Sequence, residues 1–321
     1  MKALKAQTIR LWIASRPLTA IGVIMLTAFV LSLVSVAAVP GEVLGAPTWL
    51  KPAKFAISSA IYALTFAWIF TLLGDWPRLK AIVGWTTALV LFIEVGIIDA
   101  QAARGLTSHF NVATTLDSSL FAIMGIAILI AWIAAILLTV AAFRQRFADE
   151  ALGWAIRLGL LITVAGSATG GLMTVPSHEQ LGSMRAGEHV TTSGSHTVGG
   201  PDGGPGLPGT GWSTLHGDIR VAHFLGLHGM QAIPLALWLA RRRRPRAGDR
   251  SLVVVVSASY ASLFGILLWE AMRAVPLTAP DGVTMAALAA WFCTTAIAIL
   301  ARRSQDDSLK GRPIRDTVVA L

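Results

Sequence analysis

Runs of about twenty apolar residues recur along this chain. No other feature limits its fold so strongly, because a helix of that length crosses a hydrocarbon core of about 30 Å. A window of roughly 19 residues places eight such runs near 18–39, 54–74, 80–101, 118–142, 153–175, 219–240, 252–274 and 283–301. Composition agrees: of 321 residues 55% are hydrophobic and 13% charged, and the mean hydropathy is +0.67. Soluble domains rarely look like this. The expected fold class is all-α, a polytopic membrane protein in which residues 1–321 form a single integral membrane domain, an eight-transmembrane-helix bundle.

Charge orients the bundle. The formal net charge of +9 does not point to nucleic acid, because the basic residues stand at the ends of apolar runs, as in Arg241 to Arg244 with Arg246, and Arg302 with Arg303. Such placement marks membrane topology and contact with lipid headgroups. If eight spans alternate, Lys2, Lys5, Arg10, Arg16, Arg78, Lys80, Arg144, Arg146 and those clusters share one side, which the positive-inside rule makes cytoplasmic. Both termini are then expected in the cytoplasm. The opposite side carries the loops 40–53, 102–117 and 275–282 and a long segment, 176–218, between the fifth and sixth spans. Its Gly/Pro-rich stretch at 199–209 excludes a helix or regular strand and predicts a flexible or lid-like loop. The first apolar run is long for a signal peptide and seven more follow, so it is read as an uncleaved helix. Cys293 is the only cysteine, which excludes an intrachain disulfide and a cysteine-rich metal motif.

The sixth run points to function. Gly217-Asp218-Ile219-Arg220-Val221-Ala222-His223-Phe224-Leu225-Gly226-Leu227-His228-Gly229-Met230-Gln231 puts an arginine and two histidines into a spanning segment. A charge at the bilayer centre costs roughly 2.5 to 3.5 kcal/mol, so such groups face a bundle interior and serve a site. Other polar residues fall toward the same non-cytoplasmic end. Lys51 and Lys54 open the second span, Glu94 and Asp99 lie near the end of the third, and Arg104, His109 and Asn111 follow it. Asp117 opens the fourth span, and Glu270 with Arg273 closes the seventh. One outward-facing polar pocket, built from spans two, three, four, six and seven, is the economical expectation, with His196 and Asp202 contributed by the long loop as its lid.

Helix geometry restricts how these residues combine. At about 100° per residue, His223 and His228 sit roughly 140° apart and cannot serve one centre from the same face. His216, Arg220 and His223 share a face if the helix extends back that far. Gly226 and Gly229 thin the backbone nearby, for either a close helix contact or a bulky planar ligand. In the fifth span Gly166 and Gly170 make a Gly-x-x-x-Gly face, which is expected to pack inside the bundle.

Three readings compete. In the first, the membrane histidines bond carbonyls or carboxylates, and Arg220, Arg273, Glu94, Asp99 and Glu270 neutralise one another as buried pairs with no ligand. In the second, His223 and His228, joined by His109 or His196, ligate haem b or a metal ion, with Glu94 or Glu270 as ligand or support. In the third, a transporter or small-anion binder, Lys51, Lys54, Arg104 and Arg220 attract an anion while Glu94, Asp99 and the histidines relay protons. No internal repeat of the kind many transporters carry is visible. Hydrolysis has less support, because Ser108-His109 and Ser195-His196 lack a nucleophile-elbow context. The glycine-rich loop has no phosphate-loop pattern.

Three motif groups carry a resemblance: Trp49-Leu50-Lys51-Pro52-Ala53-Lys54-Phe55-Ala56; Gln101 to Gly105 running on to Ser108-His109-Phe110-Asn111; and Pro201-Asp202-Gly203-Gly204-Pro205-Gly206 running on to Gly217-Asp218-Ile219-Arg220 and Ala222-His223-Phe224. With them the chain resembles an uncharacterised family of bacterial multi-pass membrane proteins, which implies the bacterial inner membrane and no activity. It is also loosely similar to haem A synthase, another eight-span bundle with membrane histidines. It departs from that pattern with one histidine in its first half and none in its last span.

Overall fold

The computed structural model describes residues 2–74, 76–243 and 250–310. Hydrocarbon offers no water to bond backbone N–H and C=O groups, so an apolar chain satisfies them inside helices. Helix α1 (Lys2–Ala14) leads into α2 (Arg16–Ala38), and a two-residue hairpin of β1 (Glu42–Val43) and β2 (Ala46–Pro47) turns into α3 (Leu50–Phe70). Then come α4 (Pro77–Ala103), α5 (Thr115–Arg144) and α6 (Glu150–Met173). A short α7 (His178–Arg185) and the antiparallel pair β3 (Thr197–Val198) and β4 (Gly217–Asp218) precede α8 (Ile219–Leu227), α9 (Gly229–Arg243), α10 (Arg250–Met272) and α11 (Gly282–Lys310). Arg244 and Arg246 of the expected basic cluster lie outside the described residues.

Among the described residues, seven helices are long and apolar enough to cross a membrane: α2, α3, α4, α5, α6, α10 and α11. The run expected as a single helix over 219–240 is instead two helices of 9 and 15 residues, divided at His228. Neighbouring helices cause the division. Thr163 of α6 accepts the Met230 N–H at 3.0 Å and donates to the Leu227 carbonyl at 3.2 Å, while the Tyr260 hydroxyl of α10 donates to the Leu225 carbonyl at 2.6 Å. Pro234 has no N–H to return to the Met230 carbonyl. Side chains inserted into the i to i−4 ladder and prolines are the usual causes of such breaks. Together α8 and α9 still run from one end of the bundle to the other. Arg220 donates to the Gly211 carbonyl at the loop end, and Arg241 donates to Asp149 at the opposite end, at 2.5 and 2.8 Å.

Small residues let the helices approach. On α3 a stripe of Ala56, Ala60, Ala63 and Ala67 is fully buried, and α2 and α4 lie against this helix in one core cluster. Closer still is the contact of α6 with α8 and α9. A Cβ added to Gly166 would stand 2.4 Å from the Gly226 Cα, and one on Gly159 would stand 2.9 Å from the Gly229 carbonyl oxygen. The Gly166/Gly170 face therefore packs inside the bundle, and the thin backbone at Gly226 and Gly229 makes a helix contact.

The segment 176–218 folds over one end. A capping box at Ser177 and Gln180 starts α7, Asn111 bridges to Thr192, and the Ile219 N–H donates to the His196 carbonyl at 3.0 Å. Hydropathy alone marks neither α7 nor α1, since neither is a long apolar run.

Backbone contact at Gly226 makes a direct prediction. Gly226→Ala is expected to cost about 1 to 3 kcal/mol through overpacking, read as a lower thermal unfolding midpoint in detergent. Gly171→Ala, where a Cβ meets nothing within 4 Å, is expected not to lower it.

Candidate functional site

Polar residues that the sequence scatters over three helices and two loops meet at the loop-covered end of the bundle. Glu94 enters from α4 and is 3% exposed. Its Oε1 lies 3.4 Å from His109 Nε2, and its buried Oε2 has no partner among the described residues. The loop after α4 brings His109 back onto that helix. Phe110 takes a left-handed backbone conformation there, φ 62°, with its side chain buried, which is uncommon for a bulky residue and held by its surroundings. Ser108 Oγ lies 3.1 Å from His109 Nδ1, and Phe55 of α3 packs on the ring at 5.4 Å between centroids. The Lys51 ammonium stands 5.8 Å from the centre of that same Phe55 ring. Burial holds the His109 imidazole below its ordinary range, helped by the Lys51 charge and opposed by Glu94. Lys51, Phe55, His109 and Glu94 thus form one continuous group.

His223 approaches from α8. Its Nδ1 lies 2.9 Å from the Gly166 carbonyl and 3.1 Å from Thr169 Oγ1, so an Nδ1–H donates to α6 and Nε2 is left to face elsewhere. Gly170 makes room for the ring: a Cβ there would sit 3.3 Å from His223 Cε1.

A second layer holds the loop in place. Asp202 Oδ2 lies 2.6 Å from His196 Nδ1, and the carboxylate also accepts from the backbone N–H groups of His196 and Thr197 and from the hydroxyls of Ser195 and Thr197. Burial lowers the His196 pKa to about 4, outweighing the pull of Asp202. Burial pushes the Asp202 carboxyl up, but its hydrogen bonds from His196 and Ser195 win and hold it well below the usual carboxylate range. Phe110 packs edge-on against His196 at 4.7 Å. Arg220 donates from Nε and Nη2 to Asp218 at 2.9 and 2.6 Å and from Nη2 to the Gly211 carbonyl at 2.7 Å. Lys54 donates to the Thr210 carbonyl at 2.6 Å. These two cations fasten the tip of the Gly/Pro-rich stretch.

Other expected members stand apart. Arg104 is taken by Asp117 at 2.7 Å and by Gln101, and Asp117 also accepts from Gln101 and Thr114 at the start of α5. Asp99 is five residues from Glu94, about 140° around α4, and its buried Oδ1 has no partner among the described residues. Glu270 is 3% exposed and its Oε1 is likewise unpartnered. Among the described residues no hydrogen bond or ion pair joins it to Glu94 or His223. Arg273 is occupied by Asp281 and Thr284 and lies over Trp269. His228 caps α8 and packs on Phe224, with ring centroids 4.4 Å apart. The helix does not extend back to His216, because the Asp218 side chain accepts the Arg220 N–H and ends it. His216 lies instead against Gly200.

Metal and haem chemistry can be tested on these contacts. Among the described residues no three histidine, cysteine, aspartate or glutamate side chains gather closely enough to hold a metal ion. His223 and His228 do not converge, since one bonds α6 and the other packs along its own helix. The gap that Gly166 and Gly226 open is filled by backbone of the two helices, so no planar ligand lies between them. No protein-family model, curated protein or solved structure matches the chain.

Asp218, Ser108 and Thr169 contact the candidate residues directly, and the sequence assigned none of them a place among those residues. Only Asp218 carried a signal, as an aspartate placed directly before an apolar run in N-cap position.

The cap is expected to loosen in acid. With His196 held near 4 against an ordinary 6.5, an unfolded loop takes up a proton in that window before the folded one does. Stability contributed there is present above 6.5 and falls as pH drops toward 4, and Asp202 withdraws its part only below its ordinary 3.8. Hydrogen exchange over residues 195–202 is expected to accelerate severalfold beyond the intrinsic rate change between about pH 7 and about pH 4.5. His196→Gln is expected to abolish most of that dependence.

Proposed function

We propose that this chain crosses a bacterial inner membrane eight times and carries, at its non-cytoplasmic end, a capped site that binds a small anion and exchanges a proton between Glu94 and His109. The continuity of α8 with α9 from one end of the bundle to the other supports the eighth crossing. Orientation follows from the basic residues. Arg10, Arg16, Arg78 and Lys80 gather with Arg241 at the end away from the cap, and such excess belongs on the cytoplasmic side.

The observation that carries the reading is the buried Glu94–His109 pair with the Lys51 ammonium across Phe55. Both partners can gain or lose a proton, and an ionisable pair at that depth marks a proton or ligand path in membrane proteins. Lys51 makes no hydrogen bond or ion pair among the described residues, so its side-chain nitrogen is available to an anion. An anion at Lys51 favours protonation of the neighbouring imidazole and carboxylate, which links binding to proton uptake in both directions. The folded cap keeps bulk water from short-circuiting that exchange.

Proteoliposomes with an entrapped pH-sensitive dye test this. Inorganic phosphate, sulfate and a panel of small mono- and dicarboxylates are added in turn. At least one is expected to drive a proton flux that Glu94→Gln abolishes and whose half-saturating concentration Lys51→Ala raises about tenfold. Indistinguishable traces from wild type and Glu94→Gln over the whole panel would refute the proposal.

A further inference from the structure

The end of the bundle away from the cap carries a concavity, about 800 Å3 in volume, between the elbow of α1 and α2 and the turn from α3 to α4. Three cations line it: Arg10, Arg16 and Lys80. Phe70 lies at its inner side, 1% exposed, while Ile13 and Trp85 stand on its open side, 78% and 67% exposed. The groove therefore brings basic and exposed apolar side chains together.

Its shape follows from local structure. Ser15 breaks α1 from α2 with an extended backbone and is buried, and its Oγ would lie 2.9 Å from a Cβ on Gly84, so the missing side chain on α4 seats the elbow. Lys80 donates to the Leu73 carbonyl at the end of α3, at 2.5 Å, which fixes its ammonium at the rim. Both α2 and α4 begin at the groove, each with a proline in its first two positions. Arg10 and Arg16 are exposed, and neither forms an ion pair among the described residues.

Depth selects the occupant. Trp85 is eight residues along α4 from Pro77, about 12 Å at 1.5 Å per residue. That distance passes through a headgroup layer of roughly 5 to 8 Å per leaflet and enters the acyl region. A soluble acidic peptide would satisfy the arginines and leave Trp85 and Ile13 uncovered.

We infer that this groove binds one anionic phospholipid, its phosphate between Arg10 and Arg16 and one acyl chain along Ile13 and Trp85. A zwitterionic headgroup brings its own ammonium against three cations, so the site discriminates by charge. The site is separate from the capped one, and neither depends on the other.

The full chain is purified in detergent, stripped of lipid, and given phosphatidylglycerol or phosphatidylcholine with the same acyl chains. Retention is read by native mass spectrometry under rising collisional activation. Phosphatidylglycerol is expected to outlast phosphatidylcholine. Arg10→Ala with Arg16→Ala is expected to cut its retention about tenfold, and the double lysine variant to restore most of it. Arg78→Ala removes an exposed cation at the same end but outside the groove, and is expected to change nothing. Equal retention of the two lipids, or equal losses in Arg78→Ala and the double alanine variant, overturns the inference. Should the double variant not fold, Trp85→Ala replaces it: shortened retention at an unchanged unfolding midpoint supports the site, and unchanged retention refutes it.

Discussion

Backbone pressed against backbone at Gly166 and Gly226 is the contact on which the capped end depends. Without side chains between them, α6 and α8 come close enough for a carbonyl on one to reach an imidazole on the other. His223, one turn before Gly226, bonds the Gly166 carbonyl. Thr163, one turn before Gly166, reaches into the ladder where α8 gives way to α9. Position, hydrogen bonding and the helix break thus share one cause. A larger residue at either glycine would disturb all three together.

Charges at this end fall into two groups with different work. Asp202, Asp218, Lys54 and Arg220 spend their hydrogen bonds on loop backbone, and so convert a glycine- and proline-rich stretch into a defined cover. Glu94, His109 and Lys51 lie deeper and are less fully engaged, with one carboxylate oxygen left without a donor among the described residues. Buried polar atoms that lack partners are expensive. In the proposed reading, that cost beneath a well-satisfied cover is borne by the groups that exchange the proton.

Hydropathy read the helices well because their apolar length answers to the solvent around them and needs no partner. The seven long helices overlap seven of the expected runs, as with α10 at Arg250–Met272 against 252–274. The sixth run failed as a single helix because Thr163 and Tyr260, from α6 and α10, intrude on it, and no local pattern announces a hydroxyl arriving from another helix. The site was legible in part. Lys51, Glu94, His109, His196, Asp202 and His223 were visible as ionisable residues near one end. Their pairing was not, because it depends on a chain reversal at Phe110 in a conformation its residue type disfavours. Asp99, Glu270, Arg104 and Arg273 looked equivalent in sequence, but helix rotation turns Asp99 aside and local carboxylates claim both arginines. His216 fell away once Asp218 started α8 two residues later.

The cover over the capped end is stitched from pieces far apart along the chain. Residues 111 and 192 bridge across α5 and α6, β3 waits for β4, and Gly217 rests on the Ala271 carbonyl of α10. A polypeptide leaving the ribosome amino end first has Glu94 and His109 inserted long before Ala271 is synthesised. Closure of the capped end is therefore among the last events of biogenesis, and a nascent protein arrested before α10 would have its acid and imidazole uncovered.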